Sequence, residues 1–358
     1  MTVFSSPGIV TGQAAEPDSA SAGDGHAPAD RPLLVGVDVG GSKIAVLVVD
    51  RAMSVCARHT VPTSVGAPDE AAEHISAAIA SALELAGATL ADVAAVGVGV
   101  PGRVDTVDGH VSLAVNLGWR SLPLRQRLEE QLGVPCGIEN DVRAATSGIH
   151  ERRILGEVDD FVYLSVGTGI SAGVVIDGQL HRGTRGLAGE IGHTVVDLTG
   201  RVCPCGLRGC LETIAAGPFV ARAAAEAIAG GESSSLAETG GELDAVQVYA
   251  AAATGDPLAV AITAAAGRAL ARAIHALVMT YDIERVVLGG GVSRAGAVFL
   301  DPIQAELASM RRASELAAEL LPPDVVRILP DGAEAGAWGG VSVARTLVEE
   351  VVTREVTA

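Results

Sequence analysis

Aromatic residues are scarce in this chain of 358 residues, at 3%. A core without large rings must rest on closely packed helices and backbone, and Ala supplies much of the 49% apolar share. Positive charge is also short: 25 Lys and Arg stand against 43 Asp and Glu, a net charge of −18. That balance repels a polyanion such as DNA. The densest basic spots, Arg152-Arg153 and Arg311-Arg312, are isolated pairs that read as solvated helix faces, so nucleic acid is not an expected partner. The most apolar long stretch, Leu258–Tyr281, carries Arg268, Arg272 and His275, which favours a buried helix over a membrane span. Residues 1–32 lack the charged start and apolar centre of a secretory signal and read as a disordered tail. A cytoplasmic location is expected. Cysteine is sparse too, with five in all. Three of them fall between Cys203 and Cys210, a spacing that suits a metal and not a disulfide framework.

Glycine, by contrast, is abundant at 44 residues, and excess glycine marks turns and loops that approach a ligand closely. Apolar patterning predicts strands at Leu33–Val39, Ile44–Val49, Ala94–Val100 and Val134–Glu139. It predicts helices at Asp69–Leu85, Leu122–Leu132 and Val142–Leu155. A second strand–turn–strand follows at Phe161–Val166 and Ala172–Ile176. Laid over the first at a constant offset of 127, it repeats the pattern: VGVDVGGSKIAVLVVD (35–50) against VYLSVGTGISAGVVID (162–177), with Gly40 on Gly167 and Asp50 on Asp177. Helices near Gly217–Ala229, Asp256–Tyr281 and Asp301–Leu320 and a strand at Arg285–Leu288 complete the pattern. The expected organisation is two similar α/β lobes, 33–150 and 151–332, facing each other across a cleft. A helix at 333–351 is expected to pack back on the first lobe.

Several constellations carry chemistry. Asp38 leads into Gly40-Gly41-Ser42-Lys43, and the second hairpin offers Gly167-Thr168-Gly169. Backbone N–H groups in such turns can cradle phosphate oxygens, although either alone reads equally as an ordinary hairpin turn. Asp38 is suited to position Mg²⁺, which takes few carboxylates and keeps several waters. Gly289-Gly290-Gly291 ends a buried strand and would let a base or ribose lie against the backbone. Glu139-Asn140-Asp141 ends one strand and opens a helix. Asp141 there is either a helix cap or a carboxylate placed as general base. Cys203, Cys205 and Cys210, with His193 ten residues upstream of the first, make a closed tetrahedral Cys₃His set for a structural Zn²⁺. Cys56 and Cys136 read as buried small hydrophobes. Glu190 and Glu212 flank the cluster, and carboxylates fixed in this way suit vicinal sugar hydroxyls.

Together these segments resemble the ROK family of repressors and sugar kinases. The resemblance rests on VGVDVGGSK (35–43), VGVPGRVD (98–105), NLGW (116–119), ENDV (139–142), VGTG (166–169), GEIGH (189–193), CPCGLRGCLE (203–212) and LGGGVS (288–293). It implies a two-lobed actin-like ATPase fold with duplicated ribonuclease-H-like lobes, and an ATP-dependent hexose kinase acting on a 6-hydroxyl, with glucose the leading substrate. It implies Asp141 as catalytic base. Asn140, Glu190, His193 and Glu212 would bind ring hydroxyls, with Gly102 lining the same site. Mg-ATP would lie between the Asp38–Lys43 loop, the Gly167–Gly169 loop and the Gly289–Gly291 run. It implies a homodimer or homotetramer. Three departures stand out: Ser42 in place of the usual Thr, Ser171-Ala172 where glycines usually continue, and Arg143 where kinases of the family often carry Asn.

Overall fold

The computed structural model describes residues 33–63 and 68–357; the tail expected at 1–32 lies outside them. The chain opens with β1 (Leu33–Val39), β2 (Lys43–Val49) and β3 (Val55–Pro62), then α1 (Pro68–Leu85) and β4 (Val93–Val100). Three short strands follow, β5 (Arg103–Asp105), β6 (His110–Ala114) and β7 (Trp119–Pro123), then α2 (Leu124–Leu132), β8 (Cys136–Asn140) and α3 (Asp141–Glu151). The second half starts with β9 (Phe161–Val166), β10 (Ile170–Ile176) and β11 (Gln179–Leu180). A long loop leads to α4 (Glu212–Ala215), α5 (Gly217–Ala229), α6 (Ala245–Ala253) and α7 (Pro257–Tyr281). The remaining elements are β12 (Arg285–Gly289), α8 (Ala297–Ala313), α9 (Glu315–Leu320), β13 (Val326–Ile328) and α10 (Ala335–Thr357).

Two five-stranded sheets share one topology, β3-β2-β1-β4-β8 and β11-β10-β9-β12-β13. In each, an antiparallel hairpin is followed by two parallel additions. The repeat seen in the sequence is therefore a structural duplication, with one correction. Val39 pairs with Ile44 in the first hairpin, but Val166 pairs with Ile170 in the second. The second turn is one residue shorter, so the offset is 127 along β1/β9 and 126 along β2/β10. Asp50 thus matches Ile176, not Asp177.

Each strand of the first sheet sends alternate residues to opposite faces. Val35, Val37 and Val39 join a core with α1 and α2, while Leu34, Leu47, Val49 and Ala95 face Trp338, Val341 and Ala344 of α10. The expected C-terminal helix does pack on this sheet, and it begins at Ala335. It approaches so closely that a Cβ on Gly340 would stand 2.5 Å from the Val37 nitrogen. A Cβ on Gly97 would overlap the Gly340 carbonyl and lie 2.7 Å from the Ala344 nitrogen. Gly97→Ala is accordingly expected to destabilise the fold by about 3 kcal/mol, the upper part of the usual overpacking range. Gly41→Ala, where a Cβ meets nothing within 4 Å, should change stability little. Urea titration of the two variants checks this.

α3 joins the halves. Its Val142, Ala145 and Ile149 pack with Phe161, Tyr163, Val175 and Val287 of the second sheet and with Ala335. Gly173 of β10 admits Thr146 of α3 at a distance that no Cβ would allow. α7 is long and apolar enough by length and composition to cross a membrane, but half of that stretch is buried. Its Ala266, Leu270, Ile274 and Leu277 belong to the core of the second half.

Several boundaries differ from expectation, among them β10, which begins at Ile170 and not Ala172. Leu122 lies in β7, so the helix expected at 122 begins at Leu124. β8 begins at Cys136 and includes Asn140. α3 stops at Glu151, four residues short of Leu155. The helix expected at 301–320 starts at Ala297 behind Gly296 and divides at Ser314, whose hydroxyl caps α9 by accepting from Ala317 N–H at 3.3 Å. Cys136 is buried as expected, but Cys56 is exposed on the outer strand β3.

Candidate functional site

At the β8–α3 junction the cap of α3 is Asn140, with Asp141 next in line. Asn140 is the N-cap: its Oδ1 accepts from the N–H groups of Val142 and Arg143, both at 3.1 Å. Its Nδ2 donates to the Gly102 carbonyl at 3.1 Å and to Asp141 Oδ1 at 2.9 Å. Asp141 is the first residue of α3, and its Oδ1 also accepts from Val142 N–H at 2.9 Å. Both partners hold the same oxygen, and among the described residues Oδ2 has no hydrogen-bond partner. Burial pushes the Asp141 carboxyl up to about 6; the Val142 N–H and the Arg143 guanidinium pull it down, and Glu190 adds to the rise.

Beneath this pair lies Glu139, only 2% exposed. Its Oε1 accepts from Asn140 N–H at 2.8 Å and from Arg143 Nε at 2.9 Å. Its Oε2 accepts from Arg182 Nε at 2.7 Å. The unusual Arg143 is thus a buried counter-ion. Arg182, beyond β11, ties the second half of the chain to the β8–α3 turn across 43 residues. No sequence pattern announced that contact.

Asp38 is the penultimate residue of β1 and lies near Asp141. Burial, reinforced by the Asp141 carboxylate, pushes it up to about 6 against the opposing pull of Lys43. The carboxylate nestles against Gly336 in the first turn of α10, where a Cβ would overlap it. The turn after it is closed by Gly40 N–H donating to the Lys43 carbonyl at 2.8 Å. Thr63 supports it from behind: its hydroxyl donates to Gly40 O at 2.7 Å and its N–H to Ser42 O at 3.0 Å. Gly41, Ser42 and Lys43 remain exposed. Thr63 belongs to no recognisable motif.

The second turn is closed by Gly167 N–H donating to Gly169 O at 3.0 Å. Thr168 at its tip is exposed. Its neighbour is the third glycine run: a Cβ on Gly167 would stand 3.7 Å from Gly291 N, and one on Gly291 would meet nothing within 4 Å. Gly290, at φ 88°, has its Cα tucked against Val166 of β9 in a conformation L residues avoid. These two runs therefore form one surface. Tyr163, buried beneath Gly289, is pushed up to about 12 by burial, with Asp38 and Asp141 adding to the rise.

The segment carrying Glu190 and His193 is sewn to β10 by Ala172 N–H donating to Gly189 O at 2.7 Å. Glu190 is exposed and near enough to Asp141 to raise it. His193 turns Nδ1 toward Cys203 Sγ at 3.5 Å, and Cys205 Sγ lies 3.7 Å from Cys210 Sγ. The four ligand atoms lie within 4.8 Å of one another. A tetrahedral Zn²⁺ with bonds of about 2.3 Å to sulfur and about 2.0 Å to nitrogen needs S···S near 3.8 Å and S···N near 3.5 Å. The donor set fits that ion, and it leaves His193 Nε2 free. Glu212, two residues past Cys210, accepts from Ile170 N–H at 3.0 Å through Oε2.

Residues 34–346 match the sequence model of the ROK family. The chain belongs to the ROK family. A ROK family glucokinase from Streptomyces griseus, solved in complex with glucose and AMPPNP, superposes with a TM-score of 0.73 at 34% identity, over 88% of this chain and 99% of that one. It shares with this chain the two-lobed actin-like ATPase fold. The glucokinase of Halalkalibacterium halodurans is 34% identical over 86% of this chain and 93% of its own length. The N-acetylmannosamine kinase of Citrobacter koseri is 34% identical over 72% of this chain and 83% of its own. The resemblance read in the sequence is thereby confirmed as membership of the ROK family.

Proposed function

We propose that the protein transfers the γ-phosphoryl group of ATP to the 6-hydroxyl of a hexose, with glucose the leading substrate. The observation that carries the reading is Asp141: its Oδ1 is pinned by two donors and its Oδ2 is left to accept a proton. In this reading Asp141 takes the proton of the sugar hydroxyl as that oxygen attacks the γ-phosphorus. The bond from phosphorus to the β-bridging oxygen breaks, and ADP leaves. Asn140, Gly102, Glu190, Glu212 and His193 Nε2 hold the ring. The Gly40–Lys43 loop, the Gly167–Gly169 loop and the Gly289–Gly291 run hold the nucleotide. Asp38 would hold the Mg²⁺ that accompanies ATP and offsets phosphate charge. His193, Cys203, Cys205 and Cys210 would hold one structural Zn²⁺, which supplies rigidity to the sugar wall and no chemistry. The enzyme would act in the cytoplasm as a homodimer or homotetramer, with no nucleic-acid or membrane partner. The net charge of −18 supports the first exclusion.

The test is an ADP-release assay across hexoses and N-acetylhexosamines. Turnover is expected on glucose, and absence of turnover on every sugar would overturn the reading. Preference for N-acetylmannosamine would select a second reading, which the 34% identity to a kinase for that sugar keeps open.

A further inference from the structure

We infer that Glu212 is a positioning residue for the second phosphate loop as well as a wall of the sugar site, so that one carboxylate couples the two substrates. The inference rests on the kinase reading above and adds to it a role in nucleotide affinity that needs no sugar.

Three contacts define the loop. Glu212 Oε2 accepts from Ile170 N–H at 3.0 Å, directly after Gly169. On the other side Gly217 N–H, opening α5, donates to Gly167 O at 2.8 Å. Within the turn Gly167 N–H is spent on Gly169 O at 3.0 Å. Of the four N–H groups from 167 to 170, two are thus consumed, and among the described residues those of Thr168 and Gly169 have no internal partner. These two remain for a phosphate. The carboxylate also lies close against residue 169: a Cβ there would stand 2.7 Å from Glu212 Oε2.

The first loop is built differently. It is one residue longer between paired positions and is held by the neutral Thr63. Only the second loop is anchored by a residue of the sugar wall. Glu212 is itself fixed two residues beyond Cys210, and Thr213 beside it donates its hydroxyl to Cys210 O at 2.7 Å. A carboxylate has two oxygens. One is committed to Ile170, and the other has no partner among the described residues and can accept from a sugar hydroxyl. A sugar bound there immobilises the side chain that shapes the donor loop. By reciprocity, nucleotide must then stabilise the sugar by the same factor.

The experiment is calorimetric binding of Mg-AMPPNP without any sugar, in wild type, Glu212→Ala and Glu212→Gln. Losing a partner of a buried N–H costs on the order of 1–3 kcal/mol, so Glu212→Ala should bind about tenfold more weakly. Glu212→Gln keeps an acceptor for Ile170 and should stay within about threefold of wild type. Glu212→Ala affinity within about twofold of wild type, in a folded protein, would overturn the inference, because a residue that touches only sugar has no effect here. Failure of wild type to bind Mg-AMPPNP would instead overturn the kinase reading. Hydrogen exchange in unliganded wild type gives a reading that needs no variant. The Gly167 and Ile170 amides should be protected while those of Thr168 and Gly169 exchange freely. An Ile170 amide as fast as Thr168 would overturn the anchor.

Discussion

Asp141→Asn should lower turnover by about 10²–10⁴-fold, the usual contribution of a positioned general base, and should make the folded protein more stable at neutral pH. Asn keeps an Oδ1 able to accept from Val142 N–H and Asn140 Nδ2, so the turn is preserved. What disappears is a buried negative charge beside Asp38 and Glu190. The sign follows from the direction of the shift. The folded Asp141 carboxyl sits near 6, above its ordinary 3.8, so its ionisation is opposed by folding. That opposition is absent below about pH 3.8, grows through the interval up to about 6, and is complete above it. A shift of about two units corresponds to roughly 2–3 kcal/mol. Urea unfolding of the unliganded proteins should therefore favour the Asn variant by about that amount at pH 8, with a clearly smaller margin at pH 5. The same carboxyl should place the acid limb of wild-type kcat/KM near pH 6, since the base works only when deprotonated. An Asn variant with wild-type turnover would remove Asp141 from the chemistry.

The second large effect belongs to the Cys₃His cluster. Its loop has little apolar anchorage: Leu198 is 85% exposed, Val202 57% and Leu207 54%. Cys203 and Cys210 are its buried side chains. A metal would therefore do for this loop what a core does elsewhere, as in small domains that fold only when loaded. Elemental analysis is expected to give one zinc per chain. Cys210→Ser, or exhaustive chelation, should release it and misplace Glu190, His193 and Glu212 together. Two charge-assisted contacts of about 1.5–3 kcal/mol each amount to a rise in sugar KM of roughly 10²–10⁴-fold. Zinc-free protein with an unchanged sugar KM would sever the cluster from recognition.

Much of this was legible beforehand, for identifiable reasons. The hairpins β1–β2 and β9–β10 declared themselves because strand alternation and glycine turns are local patterns. The cysteine–histidine cluster declared itself because its thiolates lie close together in sequence. Asp141 stood out at a strand-to-helix switch. The contacts that remained hidden join residues far apart in the chain: Arg182 with Glu139, Thr63 with Gly40, Glu212 with Ile170. Periodicity carries no information on such pairs. It was also blind to the shortened second turn, since one deleted loop residue leaves both strands with intact alternation. The helix expected from Asp301 begins earlier, at Ala297, and carries Pro302 inside it. The short strands β5 to β7 and helix α6 gave too few repeats to be recognised.

The glycine-lined seat of α10 bears on how the protein is made. Synthesis runs from β1 onward, yet the helix that covers Leu34, Leu47, Val49 and Ala95 is encoded some 300 residues later. At translation rates of about 5–20 residues per second, that apolar sheet face stays uncovered for roughly 15 to 60 s on the ribosome. The first lobe, though first to emerge, is therefore the last to be completed. While it waits, that apolar face is open to chaperones and to aggregation.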